Sequence, residues 1–502
     1  MAVTQAIPMT RHPYADGSYK KMLIDGKWVD AASGKRFETH NPATGELLAT
    51  VAEGDAEDIN RAVAAARRAF EGPWSKVKPY ERQALLLKLA DLVEKNFDEL
   101  STLDTLDMGA PISRTRGTKQ RVLGMLRYYA GQATALHGET IENSLPGDIF
   151  SYTLKEPVGV VGAIIPWNGP LGASVWKIGP AIATGCTVIL KPAEEAPLTS
   201  LRLAELAMEA GIPPGVVNVV PGYGETAGAA LASHPGVDKV AFTGSHVTGQ
   251  SIVKASAGNL KRVSLELGGK SPAVVFPDAP NIGLAAMTTM GAVTMGLSGQ
   301  ACVANTRALV HRDVYDEFLG AAQGMAAAIT YGDPFDPAVI SCPLINPKQL
   351  ERVLGYIERG KAEGARLVTG GERLGGDLAA GNFVGPTIFA DVDNSSTIAQ
   401  EEIFGPVLAV VPFETEEEAV RLANDTEYGL GAGLFTSDVQ RAFRVARKLR
   451  VGTIGINGFQ VEPHLPFGGF KQSGLGREGG QSAFEAFTEL KTVLMPLTEE
   501  LM

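Results

Sequence analysis

The chain predicts an α/β protein: a parallel sheet covered on both faces, followed by a second α/β unit. Three observations predict it. From residue 158 onwards, short β-branched runs alternate with helical stretches. The runs are continuously apolar, as strands buried on both faces are, and the stretches between them can serve as crossover helices. After Pro272 the alternation starts again. The 502 residues suit two to three domains, and a 45% hydrophobic content supplies sizeable cores.

Taken in order, 23–29 reads as a hairpin, because Asp25-Gly26 offers the positive φ of a tight turn. Asp55 opens a helix whose Ile59, Ala62, Val63, Ala66 and Phe70 share one face. A long helix is predicted over 80–103, rich in Leu, Ala, Glu and Lys. Strands follow at 158–165, 187–190, 216–220, 239–242 and 262–267, with helices at 176–184, 198–210, 226–233 and 248–257. The second unit has strands at 273–276, 307–310, 407–412, 432–435 and 452–456. Its helices fall at 282–295, 313–329, 415–425 and 439–448. Such sheets bind ligands at the carboxyl ends of their strands. Outside both units, 148–154 alternates Phe150, Tyr152 and Leu154 on one face, and 489–497 offers another strand. These two segments form either an arm that pairs with another subunit or ordinary edge strands.

Composition removes several function classes. Lys and Arg number 45 and Asp and Glu 56, a net charge of −11, with no long basic run. That balance opposes nucleic-acid and anionic-membrane partners. No stretch offers the roughly 20 apolar residues of a membrane span, and the start lacks the apolar core of a secretory signal. Three cysteines cannot build a disulfide framework, and the histidines do not cluster with them as zinc ligands do. A reducing cytoplasm is the expected compartment. The 58 glycines follow no G-X-Y period, so collagen is excluded.

Several motifs lie at strand ends. PWNGP at 166–170 closes the first strand of the sheet; its Asn168 amide serves either a turn or a developing oxyanion. KPAE at 191–194 closes the next strand. Glu266 ends an otherwise apolar strand, as a solvated edge residue or as a buried general base. Cys302 follows Ser298-Gly299-Gln300-Ala301, and is either an inert thiol or a nucleophile. The G-x-G-x-x-G at 474–479 lacks the strand and βαβ context of a dinucleotide fingerprint. The looser run at 222–228 does lie between a strand and a helix. The near P-loop at 264–271 would aim Glu266 at phosphate, which electrostatics opposes.

Together these pieces resemble the aldehyde dehydrogenase superfamily over roughly 23–493. The resemblance rests on PWN at 166–168, KPAE at 191–194, FTGS at 242–245, LELGGKSP at 265–272, GQAC at 299–302, EEIFGPV at 401–407 and PFGGFKQSGLGREGG at 466–480, in that order. It implies a Rossmann-like cofactor domain (1–136 and 158–268), a catalytic domain (269–484) and a small β oligomerisation arm (137–157 and 485–502). It further implies an NAD-dependent aldehyde dehydrogenase, with NADP as the weaker cofactor and no metal, assembled as a homodimer or homotetramer. By resemblance, Cys302 is the nucleophile, Glu266 the general base, Asn168 part of the oxyanion hole and Lys177 a supporting lysine. Cofactor contacts are implied for Ile165, Trp167, Lys191, Glu194, Gly224, Gly228, Phe242, Gly244, Ser245, Leu267, Glu402 and Phe404. Substrate contacts are implied for Gly169, Trp176, Ala301, Val303, Phe459 and Phe467. Many relatives carry an aromatic residue where this chain has Gly169, so a wider pocket and a bulky apolar or aromatic aldehyde are expected. The rival readings are a CoA-acylating semialdehyde dehydrogenase, which the presence of Glu266 disfavours, and a non-catalytic structural or binding member.

Overall fold

Alternate side chains of a strand point to opposite faces, so a sheet buried on both sides needs two cores. The computed structural model, which describes residues 7, 12–458 and 462–497, has that arrangement twice. In the strand Val160–Ile164, Val161 and Ala163 enter one core while Val160 and Ile164 enter another. In the second unit, Val274 faces one core, and Ala273 and Val275 face a different one.

The first sheet has eight strands. Its parallel centre runs Arg262–Glu266, Lys239–Thr243, Val160–Ile164, Thr187–Lys191, Val217–Val219 across the sheet. Chain order reverses between Val160–Ile164 and Lys239–Thr243, which creates a topological switch point. The hairpin Met22–Ile24 and Lys27–Val29 extends one edge, and Gly474–Leu475 caps the other antiparallel. The second sheet has seven strands, in the order Arg366–Thr369, Thr387–Ala390, Val407–Phe413, Arg307–His311, Pro272–Val275, Gly431–Phe435, Thr453–Ile456. All its pairings are parallel except the first. Ile149–Pro157 and Thr488–Pro496 pair antiparallel in a separate two-stranded sheet.

Several predicted elements need correction. The helix expected over 80–103 is two helices, Pro79–Lys95 and Phe97–Met108. Asn96 divides them, because its Nδ2 donates to Leu92 O at 2.7 Å and competes with the helical ladder. The helix expected from 176 begins at Pro170, where proline suits the first helical position. The helix expected over 226–233 opens as a π turn over Gly224–Gly228 and becomes α-helical only at Ala229–Ser233. The helices Lys119–Gln132 and Pro347–Ala362 and the short strand Gly474–Leu475 had no counterpart in the sequence reading.

Candidate active site

Four parallel strands deliver the predicted residues to one side of the first sheet. Val160–Ile164 leads into Ile165, Trp167 and Asn168; Thr187–Lys191 ends on Lys191; Lys239–Thr243 carries Phe242 and leads into Gly244 and Ser245; Arg262–Glu266 ends on Glu266. A cleft of about 840 Å³ opens there, at the switch point. Ile165, Trp167, Lys191, Glu194, Gly224, Gly228, Phe242, Gly244 and Ser245 all line it. Leu267 lies just past the strand end, buried against the helix His246–Ser256 at Gly249.

The cleft fits a dinucleotide. Lys191 Nζ pairs with Glu194 Oε2 at 2.8 Å, which leaves a carboxylate at the rim to accept from ribose hydroxyls. Ser245 caps the helix His246–Ser256, accepting from Thr248 N–H, so that helix begins at the cleft wall and favours phosphate there.

The second sheet contributes through the opposite ends of its strands. Glu402 and Phe404 precede Val407–Phe413, and Cys302 precedes Arg307–His311. The expectation that ligands meet carboxyl ends therefore holds for the first sheet alone. The second closes the site with the loops entering its strands. Phe404 has φ +61°, a strained value for a bulky side chain, and its ring meets Trp167 edge-on at 5.4 Å. Glu402 Oε1 accepts from Gly269 N–H at 3.0 Å. A Cβ at Gly268 would stand 2.2 Å from Glu402 Oε2, and one at Gly269 2.5 Å from Cys302 O. The glycine pair lets both loops close on the strand end. Burial pushes the Glu402 carboxyl up to about 7.

Cys302 is half-buried between Ala301 and Val303. Desolvation, then the Glu402 and Glu266 carboxyls, push its thiol up to about 12. Asn168 Nδ2 donates to Gln300 O at 2.8 Å, which joins the predicted oxyanion donor to the cysteine loop. Gln300 clamps that loop from inside: its Oε1 accepts from Ile345 N–H at 2.9 Å and its Nε2 donates to Pro343 O at 3.1 Å. Cys342 lies in the same clamp, 3.7 Å from Gln300 Nε2.

Glu266 is 4% exposed and neither carboxyl oxygen has a hydrogen-bond partner among the described residues. Burial holds its carboxyl well above the usual range, the nearby Glu478 adds to the shift, and Lys177 and Arg477 oppose it. The structure thus rejects the solvated-edge alternative. Lys177 is fully buried and ion-paired with Glu478. Glu478 is the functional candidate that the sequence missed: it lies in the glycine-rich run 474–480, which carried the resemblance as a motif but singled out no residue for a role. Gly468 faces Glu266 from the PFGG motif; a Cβ there would stand 2.6 Å from Glu266 Oε1.

Of the substrate residues, Trp176 and Phe467 meet with ring centroids 5.5 Å apart. Ala301 packs with Trp167 against a small core of Met108, Ala110, Leu297 and Ile345. A Cβ at Gly169 would meet nothing within 4 Å. Phe459 lies outside the described residues.

Two sheets, with a dinucleotide-sized cleft on one and a thiol loop from the other joined to its rim at Trp167 and Asn168, suit an oxidoreductase. The comparisons with known proteins give the family. The model of the aldehyde dehydrogenase family matches residues 28–493. The human mitochondrial aldehyde dehydrogenase is 47% identical over 506 residues, covering 99% of this chain and 96% of its own length. The mitochondrial benzaldehyde dehydrogenase of Antirrhinum majus is 47% identical, with 99% and 92% covered. An NAD+ complex of aldehyde dehydrogenase from Bacillus cereus superposes with a TM-score of 0.94 at 46% identity, covering 98% of this chain and all of that one. The chain belongs to the aldehyde dehydrogenase family. It is an NAD-dependent aldehyde dehydrogenase.

Proposed function

We propose that the chain oxidises a bulky aldehyde to its carboxylic acid by covalent catalysis at Cys302. The observation that carries this reading is the Asn168–Gln300 hydrogen bond, which holds an amide donor on the cysteine loop. The Cys302 thiolate attacks the aldehyde carbon and forms a thiohemiacetal. Asn168 and the backbone N–H of Cys302 stabilise its oxyanion; one such donor is worth about 3 kcal/mol. NAD, when bound, supplies the two-electron acceptor. The oxidised carbon stays on Cys302 as a thioester. Glu266 takes a proton from water, the water attacks the thioester, and the acid departs. Dividing the oxidation in this way replaces one difficult step with two easier ones. A base beside the thioester favours hydrolysis over transfer to coenzyme A.

Lys191 and Glu194 would hold the adenosine ribose, Gly244 and Ser245 the pyrophosphate, and Glu402 and Phe404 the nicotinamide end. Glu194 repels a 2′-phosphate, so NAD is preferred over NADP. Trp176 and Phe467 form an apolar wall, and the open space at Gly169 admits a large body beside it. Lys177, through Glu478, sets the field around Glu266. Three free thiols suit a reducing compartment, the cytoplasm. The paired strands Ile149–Pro157 and Thr488–Pro496 form an arm that joins copies of the chain.

The test is Cys302→Ala. NADH formation with benzaldehyde should fall at least a thousandfold while NAD binding, followed by cofactor fluorescence, persists. Full NADH production in the variant would refute the nucleophile.

A further inference from the structure

A second cavity, of about 420 Å³, lies between the helix Ile112–Gly117, the start of the helix Lys119–Gln132 and the loop ahead of Cys302. Arg114, Thr118, Arg121, Met295 and Gly296 line it. Met295 and Gly296 stand seven and six residues before the nucleophile. Arg121 Nη2 lies 4.0 Å from the position a Cβ would take at Gly172, in the first turn of the helix that follows Asn168. Gly172 and Trp176, four residues apart, share one side of that helix. Gly124, one turn after Arg121, faces Pro463, a Cβ there standing 3.4 Å from Pro463 Cγ, and Pro463 leads to Phe467. Arg121 and Gly124 thus stand beside the two segments that carry Trp176 and Phe467.

Among the described residues, neither arginine has its charge answered. Arg121 Nε is buried without a hydrogen-bond partner among the described residues. Among the described residues, the charged groups that reach Arg114 are Arg121, which repels it, and the Cys342 thiol, and no carboxylate acts on either guanidinium. Gly296 brings the loop onto Arg114: a Cβ there would stand 2.2 Å from Arg114 Cδ. Arg114 is exposed and Arg121 half-buried, so the pair is open to a ligand from solvent, and only Arg121 Nε is shut off from water. A planar guanidinium is matched in shape to a carboxylate.

We propose that Arg121, assisted by Arg114, binds a carboxylate at the far end of the aldehyde. The substrate class is then a carboxylate-bearing aldehyde with an apolar body: the body lies along Trp176 and Phe467, and its anion meets the arginines. The proposal rests on the dehydrogenase reading above and specifies its substrate.

The holoenzyme with NAD is assayed on two matched pairs, 4-formylbenzoate with its methyl ester and 6-oxohexanoate with hexanal. A charge-assisted bond predicts that kcat/KM favours the acid by about tenfold or more in at least one pair. Arg121→Met should bring that ratio to about 1, mainly by raising KM for the acid. Should that variant fold poorly by circular dichroism, Arg114→Gln replaces it, with at least a threefold fall in the ratio expected. Activity without preference for the acid in either pair, or a preference that survives the arginine substitution, overturns the carboxylate site and leaves the dehydrogenase reading standing. No NADH from any aldehyde overturns both.

Discussion

Around the thiol, buried acids oppose one another, and their ionisation sets the order of events. Glu266 has its carboxyl raised well above the usual range by burial and then by Glu478. It must be ionised to accept a proton from water, so hydrolysis of the thioester should rise with pH through that raised value. Cys302 is raised as well, to about 12, partly by the Glu266 charge. Glu266→Gln should therefore split the two half-reactions. The neutral amide removes a charge that opposes the thiolate, so the first burst of NADH should be as fast as in the parent or faster. Steady-state turnover should fall by about 10² to 10⁴ and lose its rise with pH. Stopped-flow and steady-state absorbance at several pH values measure both; a lost burst with intact turnover would remove Glu266 from the role of base. At this scale the sequence was informative where a residue type sits in an unusual setting, such as an acid ending an apolar strand. It was silent on Glu478, because the ion pair with Lys177 joins residues 301 positions apart.

Helix ends show how distant elements complete one another. The helix Leu198–Glu209 begins after Pro197, which has no side chain able to cap it. Asp107, from the helix Phe97–Met108, accepts from Leu198 N–H at 2.8 Å and caps it from outside. Burial holds the Asp107 carboxyl well above its usual range. Asp107→Asn preserves an acceptor oxygen and should be tolerated. Asp107→Ala leaves the N–H unpaired and should cost about 1–3 kcal/mol, read from thermal or urea unfolding. Equal stability of the two variants would deny the cap. No local pattern announces a cap of this kind. The parallel strands were legible because burial on both faces makes them apolar throughout. Gly474–Leu475 was not, since two residues carry no period, and the break at Asn96 lay inside a stretch that reads as helix by propensity.

The arm is a two-stranded sheet that lies outside the two doubly covered sheets. Val158 N–H donates to Phe487 O at 3.0 Å and Cys186 Sγ to the same oxygen at 3.3 Å, which roots the arm on the first sheet. Beyond that root the ribbon has two strands, and a two-stranded ribbon alone is marginal in water. The segment before it pairs along one edge: Ile141 N–H donates to Ser151 O at 3.0 Å and Thr153 N–H to Glu139 O at 2.8 Å. One face carries Phe150, Tyr152 and Leu154 opposite Met495, Val493 and Lys491. On it Phe150 is 40% exposed, Leu154 39% and Met495 46%. The sequence showed this alternation but left its partner open between another subunit and an ordinary edge. The apolar outer face favours a second copy of the chain, because a ribbon that short gains its stability from what covers it. Phe150 and Met495 are directly paired across the strands, so charging both places two like carboxylates at the centre of the face. Phe150→Glu with Met495→Glu should lower the mass measured by light scattering after size exclusion to that of a smaller assembly or the monomer, with far-ultraviolet circular dichroism unchanged. An unchanged mass would return the arm to the status of an edge ribbon and place the subunit contact elsewhere.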